Sequence, residues 1–305
     1  MSETDSSLVE SVDGHLSVPA SKRKKVKAVV AVVIAVFAVV YLGAVVAFSH
    51  GDGTIQVAGT APKGGNGLYV LAVPTSIDPA THQLSVRIFV ATMGSYTNAQ
   101  GYPNRDITVV FNAYSGSSEI VLHKGKPTSV DETRVYIDGS WAKYPLDSYV
   151  GALLLEATAA GPSGPEAVPI TLEGKAGMEG WSTDIDYPTD ASMPGVSLTR
   201  FTLDRLVVTK TFAAIVLFLF ILLAVAAVAV AIAVGTRTRR IEPALLGWGA
   251  ALLFALPALR STLPGAPPIG AWIDILVFLW VVVIVILAYL VVLWTWVRKS
   301  PAPPE

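Results

Sequence analysis

Two hydrophobic rhythms divide this chain. Four stretches are apolar at nearly every position, roughly Ala28 to Phe48, Thr211 to Val234, Ala244 to Leu259 and Ile275 to Val297. Between the first and second, from about Asp52 to Thr209, apolar and polar residues alternate in short segments broken by Gly and Pro. A helix rises about 1.5 Å per residue and a bilayer core is about 30 Å thick, so about twenty apolar residues span it. The first, second and fourth runs reach that length. The third has about sixteen, which makes it dependent on neighbouring helices or on local thinning of the bilayer. The pattern predicts a mixed membrane protein in which one transmembrane helix precedes, and three follow, an extracytoplasmic antiparallel β-sandwich.

Within the alternating region, strands are predicted over Leu68 to Val73, Gln83 to Ala91, Ile107 to Ala113, Glu119 to Leu122, Tyr149 to Thr158, Val168 to Leu172, Ser182 to Tyr187 and Ser197 to Leu206. Gln83 to Val90 and Ser197 to Leu203 show the period of two that marks a half-buried strand. Asn66-Gly67, Asp78-Pro79, Tyr102-Pro103-Asn104, Asp138-Gly139 and the Gly161-to-Pro165 cluster supply the turns. About eight strands separated by turns point to a sandwich.

Charge then orients the spans. Lys22, Arg23, Lys24, Lys25 and Lys27 precede the first run, Arg237, Arg239 and Arg240 lie between the second and third, and Arg298 and Lys299 follow the fourth. The connection from Ser261 to Gly270 has no Lys or Arg. The positive-inside rule therefore assigns residues 1–27, 235–243 and 298–305 to the cytoplasm and 49–210 and 260–270 to the outside, with helices over 28–48, 211–234, 244–259 and 271–297. The first run is too long for the apolar core of a cleaved signal peptide and lacks a clear cleavage site, so it reads as a signal anchor. Residues 1–21, rich in Ser and acidic side chains, read as a disordered tail. Only 15% of the 305 residues are charged against 52% hydrophobic, and the net charge of −1 gives no basic surface for nucleic acid. Cysteine is absent, which rules out disulfides, thiolate metal sites and cysteine nucleophiles. No Asn has glycosylation spacing, and both absences suit a bacterial envelope.

Candidate chemistry is sparse. His15, His50, His82 and His123 lack metal-ligand spacing, so no cofactor or metal is expected. Asp184 and Asp186 near Trp181 lack the interlocked spacing and glycine of a calcium loop and read as a solvated strand edge. No nucleophile elbow or phosphate loop occurs, and no catalytic residue is assigned. Exposed Tyr96, Tyr102, Tyr114 and Trp141 could stack on sugars or peptides, although such residues are also ordinary strand formers. Gly247, Ala251 and Ala255 recur at every fourth position of the third span and read as a helix-packing stripe. Ionisable residues sit only at span ends, which argues against ion coupling, and Arg260 and Asp274 share the outer interface as an ion-pair candidate. The most distinctive motif is Tyr144-Pro145-Leu146-Asp147-Ser148-Tyr149. Pro145 holds Tyr144 extended and Asp147 can close a turn, making a rigid corner that feeds the strand after it.

That aromatic-Pro-x-Asp corner and the one-plus-three span layout resemble a bacterial membrane-protein family, well represented in actinobacteria, known as domain of unknown function 4436. The resemblance runs from about Thr54 through the C-terminal helices and implies topology without chemistry. The corner is also similar to the proline loop of pentameric ligand-gated channels. This chain departs from them in having three helices after the sandwich instead of four, and none with a polar face. The reading is a non-enzymatic plasma-membrane protein whose exported domain is an interaction or structural module. Its partners are the lipid bilayer and envelope proteins. The alternatives are a channel-like or transporter-associated homo-oligomer and a ligand-sensing receptor.

Overall fold

The computed structural model describes residues 56–58, 65–128, 130–161, 164–188, 195–236, 243–265 and 267–299, with scattered positions between 31 and 49. The chain divides into two compact units, Met1–Val46 and Ala47–Glu305. In the first, residues 41–46 are helical. Most of the first apolar run, the basic Lys22-to-Lys27 stretch, the N-terminal tail, and the charged Arg237, Arg239, Arg240 and Glu242 lie outside the described residues.

The second unit begins with a β-sheet domain. Its described strands are β1 (Gln56–Ala58), β2 (Gly67–Asp78), β3 (Gln83–Met93), β4 (Ile107–Phe111), β5 (Ser115–Gly116), β6 (Glu119–Leu122), β7 (Val130–Gly139), β8 (Ser148–Gly161), β9 (Gly164–Ala167), β10 (Ile170–Ala176), β11 (Trp181–Asp186) and β12 (Val196–Arg205). They follow the order β1-β10-β2-β3-β7-β8-β12-β11, with β4 and β9 also on β8, β6 on β4 and β5 on β7. One pairing departs from the antiparallel sandwich expected of the sequence. β10 runs parallel to β2, from Ile170 opposite Leu68 to Gly174 opposite Ala72, so the sheet is mixed. Most of the domain separates these two strands, and no hairpin fixes their relative direction.

Alternation places one face of each long strand in a single core. Val70 on β2, Ile88 on β3, Val135 on β7, Leu153 on β8 and Phe201 on β12 are all buried there. β7 is a strand that composition hides. Asp131, Glu132, Arg134 and Asp138 give it a loop-like sequence, yet Thr133, Val135 and Ile137 occupy every second position and are fully buried. In β2 the register with β3 shifts between Pro74 and Ser76, beyond the last residue paired with β10. Pro74 has no N–H to donate, and that is where the strand has a free side.

Three helices follow, each long and apolar enough to cross a membrane: α1 (Val207–Gly235), α2 (Ala244–Ser261) and α3 (Leu279–Lys299), the last entered through a π-helical turn, Asp274–Phe278. α1 buries Ala213, Val216, Phe220, Ala224, Ala227, Ala231 and Val234, in steps of three and four residues. α3 buries Val281, Val285, Ala288 and Val292 at the same steps. This spacing puts the buried residues on one stripe of each helix, and the many alanines on α1 allow close approach. The opposite faces expose Ile221, Val225 and Ile232 on α1 and Leu279, Trp280 and Leu287 on α3. Such continuous apolar exposure suits lipid and not water. Trp272 and Trp294 are both exposed and stand twenty-two positions apart. That is about 33 Å of helix, close to the hydrocarbon thickness.

The stripe of Gly247, Ala251 and Ala255 does not make the contact within this chain. Gly247 and Ala251 are exposed, and a Cβ on Gly247 would meet nothing within 4 Å. α2 instead uses Gly249, Leu252 and Leu256. Gly249 lies about 200° around the helix from Gly247 and directly under the Tyr289 ring. Leucine volume decides which face packs, and a small-residue spacing in an Ala-rich segment carries no direction.

Candidate functional site

Among the described residues, three of the four buried charged side chains, Asp147, Arg205 and Asp274, stand where the sheet meets the helices. β12 alternates inward and outward, and the inward positions Thr199, Phe201 and Leu203 continue to Arg205, which is buried. A guanidinium on a core-facing position requires a compensating carboxylate. Asp147 supplies it from the Tyr144-to-Tyr149 corner. The Arg205 Nε donates to Asp147 Oδ1 at 3.1 Å and Nη2 to Oδ2 at 3.1 Å, a bidentate pair with side chains 4% and 1% exposed. Tyr149 donates its hydroxyl to Asp147 Oδ2 at 3.2 Å.

Aromatic rings enclose the pair. The Arg205 guanidinium carbon lies 4.0 Å from the Trp181 ring centroid and 5.1 Å from that of Tyr144, while Tyr149 and Trp181 meet edge to face. Arg205 therefore has a carboxylate in its plane and π-faces beside it, an arrangement its planar charge can use and an ammonium could not. Burial pushes the Tyr144 hydroxyl up to about 12, with Arg205 pulling it down and Asp147 adding to the rise. Burial likewise raises Tyr149, and Asp147 raises it further.

The corner then reaches the helices. The Tyr144–Pro145 peptide is cis, and Tyr144 has φ −46° and ψ 135°, an extended conformation that a following proline favours. Tyr144 is buried against the helix cluster with Ala271 and Ile273, and its hydroxyl donates to the Pro264 carbonyl at 3.0 Å in the α2–α3 loop. Gly265 next to it has φ +73°, and a Cβ there would overlap the Arg205 guanidinium. β12 passes into α1 through Leu206 alone, whose N–H bonds to the Gly180 carbonyl at 3.0 Å. The sheet is thus fixed to the helices by a one-residue covalent link, the Tyr144 contact and the close fit of Arg205 against Gly265.

A second ion pair clamps the same end of the bundle. Arg260 Nη2 lies 2.8 Å from Asp274 Oδ2 and its Nε 3.1 Å from Oδ1, with Nη2 also donating to the Pro267 carbonyl. The Gly270 N–H donates to Asp274 at 3.0 Å. Arg260 stands in the last turn of α2 and Asp274 opens the segment leading into α3, so each charge opposes the local helix dipole.

The structure joins Tyr144 and Asp147 in one cluster, brings Arg260 and Asp274 together beside it, and leaves Gly247 and Ala251 outward. Sequence reasoning offered no reading of Arg205, and it placed Tyr149 only at the end of the corner and Trp181 only beside the acidic Asp184 and Asp186. The available signal was the parity of β12: extended two positions past Leu203, it puts an arginine on the buried face. Asp184 and Asp186 are exposed on β11. Among the described residues no three His, Asp or Glu side chains gather as a metal site.

Comparison with known families divides the chain at this junction. Residues 58–203 match the family described as domain of unknown function DUF4436, which supports the resemblance drawn from the corner. Residues 205–299 match a separate one, domain of unknown function DUF8686. The earlier resemblance treated sheet and helices as one family; two models cover them. Asp147 belongs to the first match and Arg205 opens the second, so the buried pair bridges both. A search of the curated proteins found no match.

Proposed function

We propose that this chain is a non-enzymatic integral plasma-membrane protein with cytoplasmic termini, whose extracytoplasmic sheet domain is an interaction or structural module of a bacterial envelope. The supporting observation is the junction. A one-residue linker, the Tyr144 bond to the Pro264 carbonyl and the fit of Arg205 against Gly265 seat the sheet on the helices without a stalk. A module held this way presents a fixed surface close to the membrane. The β-sandwich architecture and the N-terminal signal anchor belong to this same reading.

The absence of cysteine makes orientation directly testable. Lys124→Cys, exposed in the sheet domain, is expected to react with an impermeant maleimide in intact cells, while Gly235→Cys at the far end of α1 reacts only after permeabilisation. The reverse pattern ends the topology. In-cell crosslinking through the sheet domain, read by mass spectrometry, is expected to capture envelope components. Hydrolysis of an envelope glycan or lipid by the purified protein ends the non-enzymatic reading.

One contact favours a second reading, a ligand-sensing receptor. Tyr144 touches the α2–α3 loop directly through Pro264, so a change in the sheet has a path to the helices. The channel-like alternative gains no such support, because Ala, Val, Leu and Phe fill the seam between the described helices.

A further inference from the structure

We infer that the outward face of the sheet beside the β2–β3 turn is a glycan-binding platform built from Tyr114, Tyr136 and His82. This deepens the interaction-module reading by naming the chemistry of its partner. Tyr136 lies on the outward face of β7, 49% exposed, and Tyr114 beside it is 57% exposed. The His82 and Tyr136 rings stack with centroids 5.8 Å apart and planes 16° from parallel, while the Tyr114 and Tyr136 centroids are 5.7 Å apart with planes tilted by 52°. The three rings therefore form one contiguous, bent aromatic strip, with Tyr114 turned out of the plane of the other two.

The strip is held in place before any ligand arrives. His82 sits at φ +56° as the one described non-glycine residue with positive φ, after a turn in which Asp78 Oδ1 accepts the Ala80 and Thr81 N–H groups. Left-handed backbone is one that histidine tolerates, and the turn contacts around His82 hold it there. The His82 carbonyl accepts the Ile137 N–H at 3.0 Å, and the Tyr114 N–H donates to the Arg134 carbonyl at 2.7 Å. Cross-strand rings that serve stability alone gain most when buried. These are half open, and neither phenol hydroxyl has a hydrogen-bond partner among the described residues.

A sugar ring offers a flat C–H face for stacking and a rim of hydroxyls for hydrogen bonds. The half-exposed Tyr114 and Tyr136 rings offer stacking faces for the first, and their hydroxyls with the flanking polar side chains offer partners for the second. Arg134 and Asp138 lie on either side of Tyr136 on the same exposed face of β7, and Gln83 faces it across the β3 pairing. A protein partner would need a packed apolar centre, whereas charged side chains interrupt this strip on both sides.

The full-length protein in lipid nanodiscs can be passed over immobilised cellulose, chitin, amylose and purified peptidoglycan. Retention on at least one is expected, with Tyr136→Ala and Tyr114→Ala each weakening it by about tenfold, the usual size of losing one contact ring. Tyr136→Phe is expected to keep most of the retention, because stacking needs the ring and not the hydroxyl. Should Tyr136→Ala lower the melting temperature, Tyr114→Ala, on the short β5 side, decides the matter. Absence of retention on every glycan, or retention unchanged in both alanine variants, overturns the proposal. So does a crosslinked protein partner on this face that no glycan displaces. The measurement is made on purified protein, so its failure is distinct from a failure of the cell-labelling experiment on orientation.

Discussion

Asp147 and Arg205, 58 positions apart in sequence, form a bidentate ion pair that is closed off from solvent and lies against the Trp181 ring. Removing one member of such a pair strands the other charge in a low-dielectric site, at a cost of about 3–5 kcal/mol. Asp147→Leu and Arg205→Met are each expected to lower the melting temperature of the detergent-solubilised protein sharply. The double variant Asp147→Leu/Arg205→Met should recover much of the loss, since it buries no unpaired charge. Additive losses in this double-mutant cycle would show that the two residues act separately.

Tyr144 makes a smaller and more local contribution. Tyr144→Phe keeps the ring against Ala271 and Ile273 and loses the bond to the Pro264 carbonyl, a net cost of about 1 kcal/mol. The sensitive readout is amide exchange in the α2–α3 loop, expected to rise around Leu263 and Gly265 with little change in the β3 and β7 amides. Unchanged exchange in that loop in Tyr144→Phe would mean that the corner rests on the helices without holding them.

The sequence announces the spans because lipid demands continuous apolarity, and it announces most strands because a half-buried sheet demands alternation. Glu119–Leu122 is read to the residue, and the last strand to within one at each end. What it hides are decisions made by partners distant in sequence. The parallel pairing of β10 with β2 depends on no local turn. β7 is masked by its charged outward face. The Tyr144–Asp147 corner stands out in sequence, but Arg205, the residue that gives it meaning, is recognised only when β12 is followed to its end.

Tyrosine burial sets an alkaline limit. Burial is the leading cause that holds Tyr69 and Tyr144 up to about 12 and raises Tyr149 and Tyr187. Their unfolded-state value is near 10, so folding favours the protonated phenols. That stability is fully present below pH 10 and is lost as pH rises through 10 towards 12. Melting temperatures recorded stepwise in pH, alongside phenolate absorbance, should show a plateau and then a fall beginning above pH 10. Tyr144→Phe should make the fall shallower. Complete ionisation of all tyrosines near pH 10 with no loss of fold would contradict this burial.

The sharpest contrast lies between two glycines on one helix. A Cβ at Gly249 would stand 2.6 Å from Cδ2 of Tyr289, while one at Gly247 would meet nothing within 4 Å. Gly249→Ala must therefore push the Tyr289 ring off the α2–α3 contact, an overpacking cost of about 1–3 kcal/mol. Gly247→Ala removes backbone freedom from an exposed helical position and should stabilise by up to about 1 kcal/mol. Thermal unfolding of both variants in the same detergent separates the faces. Equal destabilisation would place a packing partner on the Gly247 side. Destabilisation confined to Gly249→Ala would show that α2 turns its leucine face inward and leaves Gly247 outside the contact.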